Sequence, residues 1–355
     1  MRIATYNVEW FDHLFDDDGA LVDNLSWSGR FNITKADQLA GLGAVFRALD
    51  ADVWMIIEAP DCSRRRDGVK ALEAFARHFG LRTRKAMVGY PNDTQQEIVL
   101  LYDPDVVTAV HDPRGRDPNA PLNEGDPGEV PRFDGEFRLD VDVDASPDPI
   151  RWSKPPLEVA LTPRAGGPVI RLIGVHAKSK APHGARNKAE VMRLSIENRR
   201  KQLAQCIWLR QRVVAHLEIG DPIIVLGDFN DGPGLDEYEK LFGRSGAEVV
   251  LGEGNGTQLF DPHARQALSQ RIGVMPATAR FQLPPEGRFL SALLDYVMVS
   301  PDIRATAPVW RIWHPFDDPE CFADPVLREA LLVASDHFPV SLDLELSKLG
   351  LGETV

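Results

Sequence analysis

Cysteine is scarce in this chain of 355 residues. Cys62, Cys206 and Cys321 are too few and too scattered for a disulfide framework or a thiolate metal site, and they suit a reducing cytoplasm. No run reaches the roughly 18 uninterrupted apolar residues that a membrane-spanning helix needs. The N-terminal MRIATYNVEW has neither the apolar core nor the small-residue cleavage site of a secretory leader, so the chain reads as soluble and unprocessed. Positive charge is short as well: 40 Lys and Arg face 53 Asp and Glu, a net charge of −13. Such a field repels polyanions and excludes a generic nucleic-acid coat. Apolar residues are not lacking. At 43% hydrophobic and 26% charged, the composition excludes a disordered or fibrous protein.

What is present is short apolar runs with helical segments between them, the pattern of a mixed α/β protein. Strands are expected at Ile3–Val8, Val53–Glu58, Glu97–Tyr102, Leu157–Leu161, Val169–His176, Pro222–Leu226, Leu294–Val299 and Pro339–Leu344. Helices are expected over Thr34–Leu49, Asp67–Phe79, about Arg186 to Leu217, and Leu235–Phe242. Thr34 followed by Asp37 reads as a capping box. The long helix carries Leu203, Ile207, Val214 and Leu217 on one stripe.

Two stretches depart from this rhythm. Between His111 and Pro156 lie nine of the 27 prolines, with an acidic excess, so this stretch reads as an insertion, with Gly135–Val143 alternating like a half-exposed strand of a hairpin. From Lys178 to Lys201, eight basic residues meet two acidic ones, a local net of +6 in an acidic protein.

Several expected strands end in a residue suited to a phosphate: Asn7, Glu58, His176, and the pair Asp228 and Asn230. Asp295 starts a further strand, and Asp336 and His337 precede another. Ligand sites collect at strand ends in open α/β sheets. Singly, each residue is as well explained by a turn, a solvated face or core packing. Together they offer carboxylate and amide oxygens for a hard cation such as Mg²⁺, whereas zinc would call for three or four His or Cys ligands.

The blocks TYNVEW, IIEAPD, GVHAKS, VLGDFND, LDYVMVS and SDHFPV resemble, in that order, the motif series of the endonuclease/exonuclease/phosphatase superfamily, whose fold is that of deoxyribonuclease I. The resemblance implies an α/β four-layer sandwich of two mixed β-sheets flanked by helices. It also implies one domain over residues 1–347, carrying the insertion at about 111–156 and followed by a C-terminal tail at 348–355. It makes Glu58 the principal ligand of Mg²⁺ or Mn²⁺, with Asn7 and Asp336 near the ion. His337 would pair with Asp295 and help to activate water, Asp228 would position or deprotonate the attacking water, the motifs leaving the base work divided between these two, Asn230 would bond a phosphate oxygen, and His176 would stabilise the transition state or protonate the leaving oxygen. Lys178 and Lys180 are the added phosphate-binding candidates, and the loop and helix after them, with His183, Arg186, Lys188 and Arg193, are placed to clamp a polyanion.

Two positions depart from the family pattern. Ile57 stands where Gln often precedes the metal-binding Glu, and in RWSKPPL Lys154 replaces an Arg, a point charge instead of a bidentate fork. Pro155 and Pro156 read as a rigid start to the strand at Leu157. Arg64, Arg65 and Arg66 form a second basic cluster, equally well read as a solvated helix start, and Trp10, Phe11, Trp27 and Phe31 are candidates for stacking bases or for packing.

The leading expectation is a divalent-metal-dependent phosphodiester hydrolase, a nuclease acting on DNA or RNA. The alternative is a phosphatase or phosphodiesterase for a small-molecule or lipid phosphoester, which the acidic total favours. A catalytically dead binding module would have lost one of Glu58, Asp228, Asn230, Asp295 or His337, and all are present. No membrane span and no obligate protein partner is read from the sequence.

Overall fold

The strand β1 (Arg2–Asn7) shows how the fold arises: Ile3 points to one side and Ala4 and Tyr6 to the other, yet all are fully buried. A strand buried on both faces must lie inside stacked layers. The computed structural model describes residues 1–350 apart from 93, 95, 117–129, 141–146, 183, 233–241, 254–256, 270–274 and 284–286. One six-stranded sheet has the order β14 (Val309–Ile312), β15 (Val340–Asp343), β1, β2 (Val53–Ala59), β4 (Glu97–Tyr102) and β3 (Lys85–Val88). The other, five-stranded, runs β13 (Asp295–Val299), β10 (Ile223–Asp228), β9 (Ile170–His176), β8 (Leu157–Pro163) and β5 (Val107–His111).

Three cores alternate with the sheets. Ile3, Met55, Ile57 and Leu100 of the first sheet meet Val159, Leu172, Ile224 and Leu226 of the second in a central layer. The opposite face of the first sheet, with Tyr6, Trp54 and Ile56, packs on α1 (Lys35–Leu49), α2 (Gly68–Phe79) and the helix Pro325–Ala334. Val175, Val225 and Met298 pack on α3 (Lys188–Glu218). The result is the four-layer α/β sandwich of two mixed sheets that the resemblance implied.

Every expected strand lies within two residues of an observed one, and the Thr34–Asp37 capping box forms as expected. The expected helix Leu235–Phe242 falls outside the described residues except at Phe242. Of the insertion, the described part forms a hairpin of β6 (Phe137–Leu139) and β7 (Asp148–Ile150); the end of the expected strand, residues 141–143, is not described. The stripe expected on the long helix needs correction. Leu203, Ile207, Val214 and Leu217 are only half-buried, and the helix buries Ala204, Cys206, Trp208, Leu209 and Val213 together with Arg199, Gln202, Gln205 and Arg212. Gln205 and Arg212 can be buried here because the insertion covers them, while Gln202 donates to the Phe229 carbonyl at 3.2 Å and Arg199 faces Asp231 at 3.8 Å. Arg212 donates to the carbonyls of Val130 and Pro131 at 3.2 and 3.0 Å, and Trp208 Nε1 to that of Pro131 at 3.0 Å. All three cysteines are free, and no described helix is long and apolar enough to cross a membrane.

Arg212 also faces Glu158 of β8 at 3.4 Å, with both side chains 3% exposed. Burial pushes the Glu158 carboxyl up to about 7 from 4.5, against the pull of Arg212. The folded chain therefore holds that proton more tightly than the unfolded one. The contribution is complete below the unfolded value and is lost as pH rises through about 7. Glu158→Gln, which does not titrate, should gain on the wild type by about 2–3 kcal/mol between pH 5 and pH 8, read by urea unfolding. Parallel curves over that range would show the carboxylate to be ionised throughout.

Candidate active site

Parallel pairing brings four strand ends to one edge. β1 and β2 run parallel, as do β9 and β10, so Asn7, Glu58, His176 and Asp228 emerge together. Antiparallel β13 starts at the same edge, with Asp295 directly opposite Asp228 in register. The loop into β15 adds Asp336 and His337, fixed where Ala279 bridges His337 and Arg280 N–H donates to the Asp336 carbonyl at 2.7 Å. A cavity of about 330 Å³ opens here, with Asn7, Glu58, His176, Asp228, Asn230 and His337 in its wall.

The backbone is bent to make it. Glu58 sits at φ 60° where the β2–β4 register shifts between Ile57 and Ala59, and Asn230 at φ 49°. Non-glycine residues in this region carry strain of about 1–3 kcal/mol, common at functional sites. Gly227 at φ +132° lies so close to the Val175 backbone that no side chain fits, which the Gly of GDFN makes possible.

The hydrogen bonds define what each group can do. Asp228 Oδ2 accepts from Asn7 Nδ2 at 2.9 Å and Asn230 Nδ2 at 3.2 Å, and Oδ1 from Asn230 N–H at 2.7 Å. Burial, with Asp295 adding, pushes Asp228 up to about 7. Asp295 Oδ2 lies 2.7 Å from His337 Nδ1. Burial alone would lower His337, but Asp295 outweighs it and holds the imidazole well above its ordinary value, protonated. Burial, Lys154 and His337 together hold His176 well below its own, neutral. Lys154 Nζ can only donate, and it lies 3.2 Å from His176 Nδ1, so Nδ1 accepts and Nε2 carries the hydrogen. That Nε2 points between Glu58 Oε1 at 3.7 Å and Asp228 Oδ2 at 3.8 Å.

Among the described residues, Asp228, Asp295 and His337 form the one cluster of three His, Cys, Asp or Glu side chains whose ligand atoms lie within 4.8 Å of one another, close enough to share a metal. Their chemistry argues otherwise, because a protonated imidazole has no lone pair to give. Glu58, Asn7 and Asp336 fit better. Asn7 Oδ1 and Asp336 Oδ1 are buried acceptors with no hydrogen-bond partner, and both residues bear on the Glu58 carboxyl, Asn7 pulling its proton affinity down and the charge of Asp336 pushing it up. Orphaned oxygens around a buried carboxylate suit a hard divalent cation.

Not every expected residue lies in the cavity wall. Asp295 stands behind His337, against its Nδ1, and Asp336 is likewise not in the wall. Lys178 lines the cavity, whereas Lys180 is ion-paired with fully buried Asp231 and lies outside that wall. Arg66 is likewise committed, to Asp61 at 2.7 Å. Phe11 is core, while Trp10, Trp27 and Phe31 are 40%, 63% and 92% exposed. Of the residues named for a polyanion clamp, His183 falls outside those described.

Sequence reasoning missed three contributors. Gln96 Nε2 donates to Glu58 Oε2 at 2.5 Å while its Oε1 accepts from Lys154, so it joins the two charges. Ile57, which stands where the family often has Gln, faces the central core. Ser335 Oγ donates to the Asn7 carbonyl at 2.8 Å and accepts from His337 N–H at 3.2 Å. Thr278 Oγ1 accepts from Asp295 N–H at 2.9 Å. Lys154 was flagged only as a departure, and its placement beside His176 was not foreseen. Gln96→Ala should weaken Mn²⁺ binding about 10–100-fold, as loss of a ligand-orienting partner typically does. Titration calorimetry measures it, and an unchanged affinity would show that Glu58 is oriented without Gln96.

Among solved structures, the fold is similar to truncated TDP2 from Caenorhabditis elegans, at 12% identity, 97% of this chain, 96% of that one and TM-score 0.48. It is also similar to mannosyl-6-phosphatase Bt3783 of Bacteroides thetaiotaomicron, at 15%, 97%, 99% and 0.48. A 3′ phosphatase NExo from Neisseria, bound to a product DNA hairpin, gives 14%, 97%, 99% and 0.47. No curated protein matches the chain. The model of the Endonuclease/Exonuclease/phosphatase family matches residues 4–337.

Proposed function

Because the chain belongs to the endonuclease/exonuclease/phosphatase family, we propose that its cavity hydrolyses phosphodiesters with Mg²⁺ or Mn²⁺ bound, and that its substrate is DNA or RNA. The observation that carries this reading is the pairing, in one cavity, of orphaned hard oxygens around Glu58 with an oriented Asp228 and a His337–Asp295 ion pair. Glu58, Asn7 and Asp336 would hold the ion. Bound there, it would neutralise charge on the phosphate oxygens.

The remaining work falls to the chain's own groups. Asp228, held by two amide side chains and a backbone N–H, orients the attacking water and accepts its proton. Protonated His337, anchored through Nδ1 to Asp295, donates from Nε2 to a non-bridging oxygen. His176 serves the departing oxygen as a neutral N–H donor at Nε2, not as a full acid, since it carries no ionisable surplus proton. Lys178 completes the phosphate contacts from the cavity wall, whereas both amide hydrogens of Asn230 are committed, to Asp228 Oδ2 and to the Ala177 carbonyl at 3.1 Å, so Asn230 serves by orienting Asp228.

A second reading, a small-molecule phosphoesterase, is favoured by the net charge of −13 and by the modest cavity of about 330 Å³. One assay separates the two. Protein stripped of metal and supplied with Mn²⁺ or Mg²⁺ is incubated with supercoiled plasmid, single-stranded DNA, RNA and a panel of small phosphoesters. Cleavage of a polymer should fall about 10²–10³-fold in His337→Ala, the usual cost of removing a donor to an oxygen that gathers charge in the transition state, and vanish in Glu58→Ala. Intact polymers with metal-dependent turnover of a small ester would hand the site to the second reading. A fully active His337→Ala enzyme would overturn the mechanism.

A further inference from the structure

Lys178 and Ser153 line the catalytic cavity and also a second, larger groove of about 820 Å³ between the β6–β7 hairpin and α3, so the two are neighbours across a shared wall. Its floor is Ile150 and Pro149 of β7, and its rim carries Lys178, Arg151, Arg200 and Lys201. Two of these four cations are committed, Arg151 to Glu136 at 3.1 Å and Lys201 to Glu197 at 2.9 Å. Lys178 Nζ and the exposed Arg200 guanidinium have no ion-pair partner among the described residues.

The groove is anchored to the site. Buried Gln205 of α3 accepts from Lys178 N–H at 2.9 Å through Oε1 and donates to the Arg151 carbonyl at 3.1 Å through Nε2. One side chain thus clamps the insertion and the loop after β9 to the same helix. A groove with an apolar floor, acceptors at Glu136 and Asp148, and two uncommitted cations matches a nucleoside carrying a phosphate. The apolar strip takes the base and sugar, the acceptors take its N–H groups, and the cations take the anion.

We propose that this groove is a subsite for the nucleotide next to the scissile bond, and that Arg200, with Lys178 at the shared wall, binds that nucleotide's second phosphate. The proposal rests on the phosphodiesterase reading above and goes further, in making two neighbouring phosphates a requirement for efficient turnover. It also gives the insertion a part in binding, because β7 supplies the floor of the substrate groove.

The test uses the full chain and two reporter substrates, the p-nitrophenyl ester of thymidine 5′-phosphate and the same ester with a second phosphate on the 3′ oxygen. The wild type should prefer the two-phosphate ester in kcat/KM by about tenfold or more, the usual worth of a charge-assisted contact. In Arg200→Ala that ratio should fall to about one, chiefly through KM. In parallel, calorimetry in EDTA measures thymidine 3′,5′-bisphosphate binding without metal or turnover, and Arg200→Ala should weaken it at least fivefold. Equal turnover of the two esters, with a ratio unmoved in the variant, overturns the subsite while leaving the phosphodiesterase reading intact. If neither ester is turned over, the phosphodiesterase reading fails, and the titration decides the groove: no binding, or equal binding by both proteins, overturns it.

Discussion

Five carboxylates crowd the edge where the two sheets meet, and keeping that much like charge out of water is the constraint on which the site depends. Burial pushes Asp228 up to about 7 with Asp295 adding, and Glu9 up to about 7 with Asp336 adding; Glu58 is raised by burial and by Asp336. Three cations answer. His337 takes Asp295, Arg30 takes Glu9 at 2.5 Å, and Lys154 acts on Glu58 through their mutual attraction. This leaves Asn7 Oδ1 and Asp336 Oδ1 unsatisfied, and both belong to residues that act on Glu58. A divalent cation at that point would relieve the repulsion and the unmet acceptors at once. Lys154, itself pulled down by burial, offsets the charge of Glu58 only in part.

The fold makes such crowding tolerable by burying both faces of nearly every central strand. β1, β2, β9 and β10 place alternate residues in the central layer and in a helical layer, so a one-residue slip would exchange two cores. Register is therefore strongly held, and with it the strand ends that carry Asn7, Glu58, His176 and Asp228. Strained backbone at Glu58 and Asn230 survives because both adjoin strands fixed in this way. The strain and the charge repulsion are local costs carried by a large apolar interior.

Legibility followed the same division. Residues at the ends of central strands could be read, because an apolar run that stops in Glu58, His176 or Asp228 announces both the strand and the anomaly. Seven of the ten expected site residues line the cavity, Lys178 among them, while Asp295 supports His337 from behind and Asp336 acts on Glu58 through its charge. Gln96 was invisible for a physical reason. It lies in a polar stretch before β4, and only the shifted antiparallel pairing that sets Ala59 opposite Glu97 carries it to Glu58. The ion pair of Lys180 was missed because a charge count cannot see Asp231, fully buried and two residues beyond the GDF segment, waiting to pair with it. The long helix misled similarly. Its apolar periodicity suggested one stripe, but the insertion covers polar positions such as Gln205 and Arg212, so burial there follows tertiary context and not hydropathy.

The net charge of −13 bears on how a polyanion reaches such a site, but less than the total suggests. At physiological salt, charges more than about 8 Å apart are largely screened. Acidic groups spread over the surface therefore act weakly on a phosphate already in the cavity, where Lys154, Lys178 and His337 stand in or beside the wall. Their fields act at short range and low dielectric, where each is worth far more than a distant carboxylate. The overall negative charge slows encounter with a polymer, and the basic run from Lys178 to Lys201, with Lys188, Arg193, Arg200 and Lys201 exposed, is where the chain counters it locally. Affinity for a phosphoester is thus concentrated at the cavity and its immediate neighbours. Specificity then has to be built beside the site, from groups such as Gln205 and Arg200 that the surrounding potential neither supplies nor replaces.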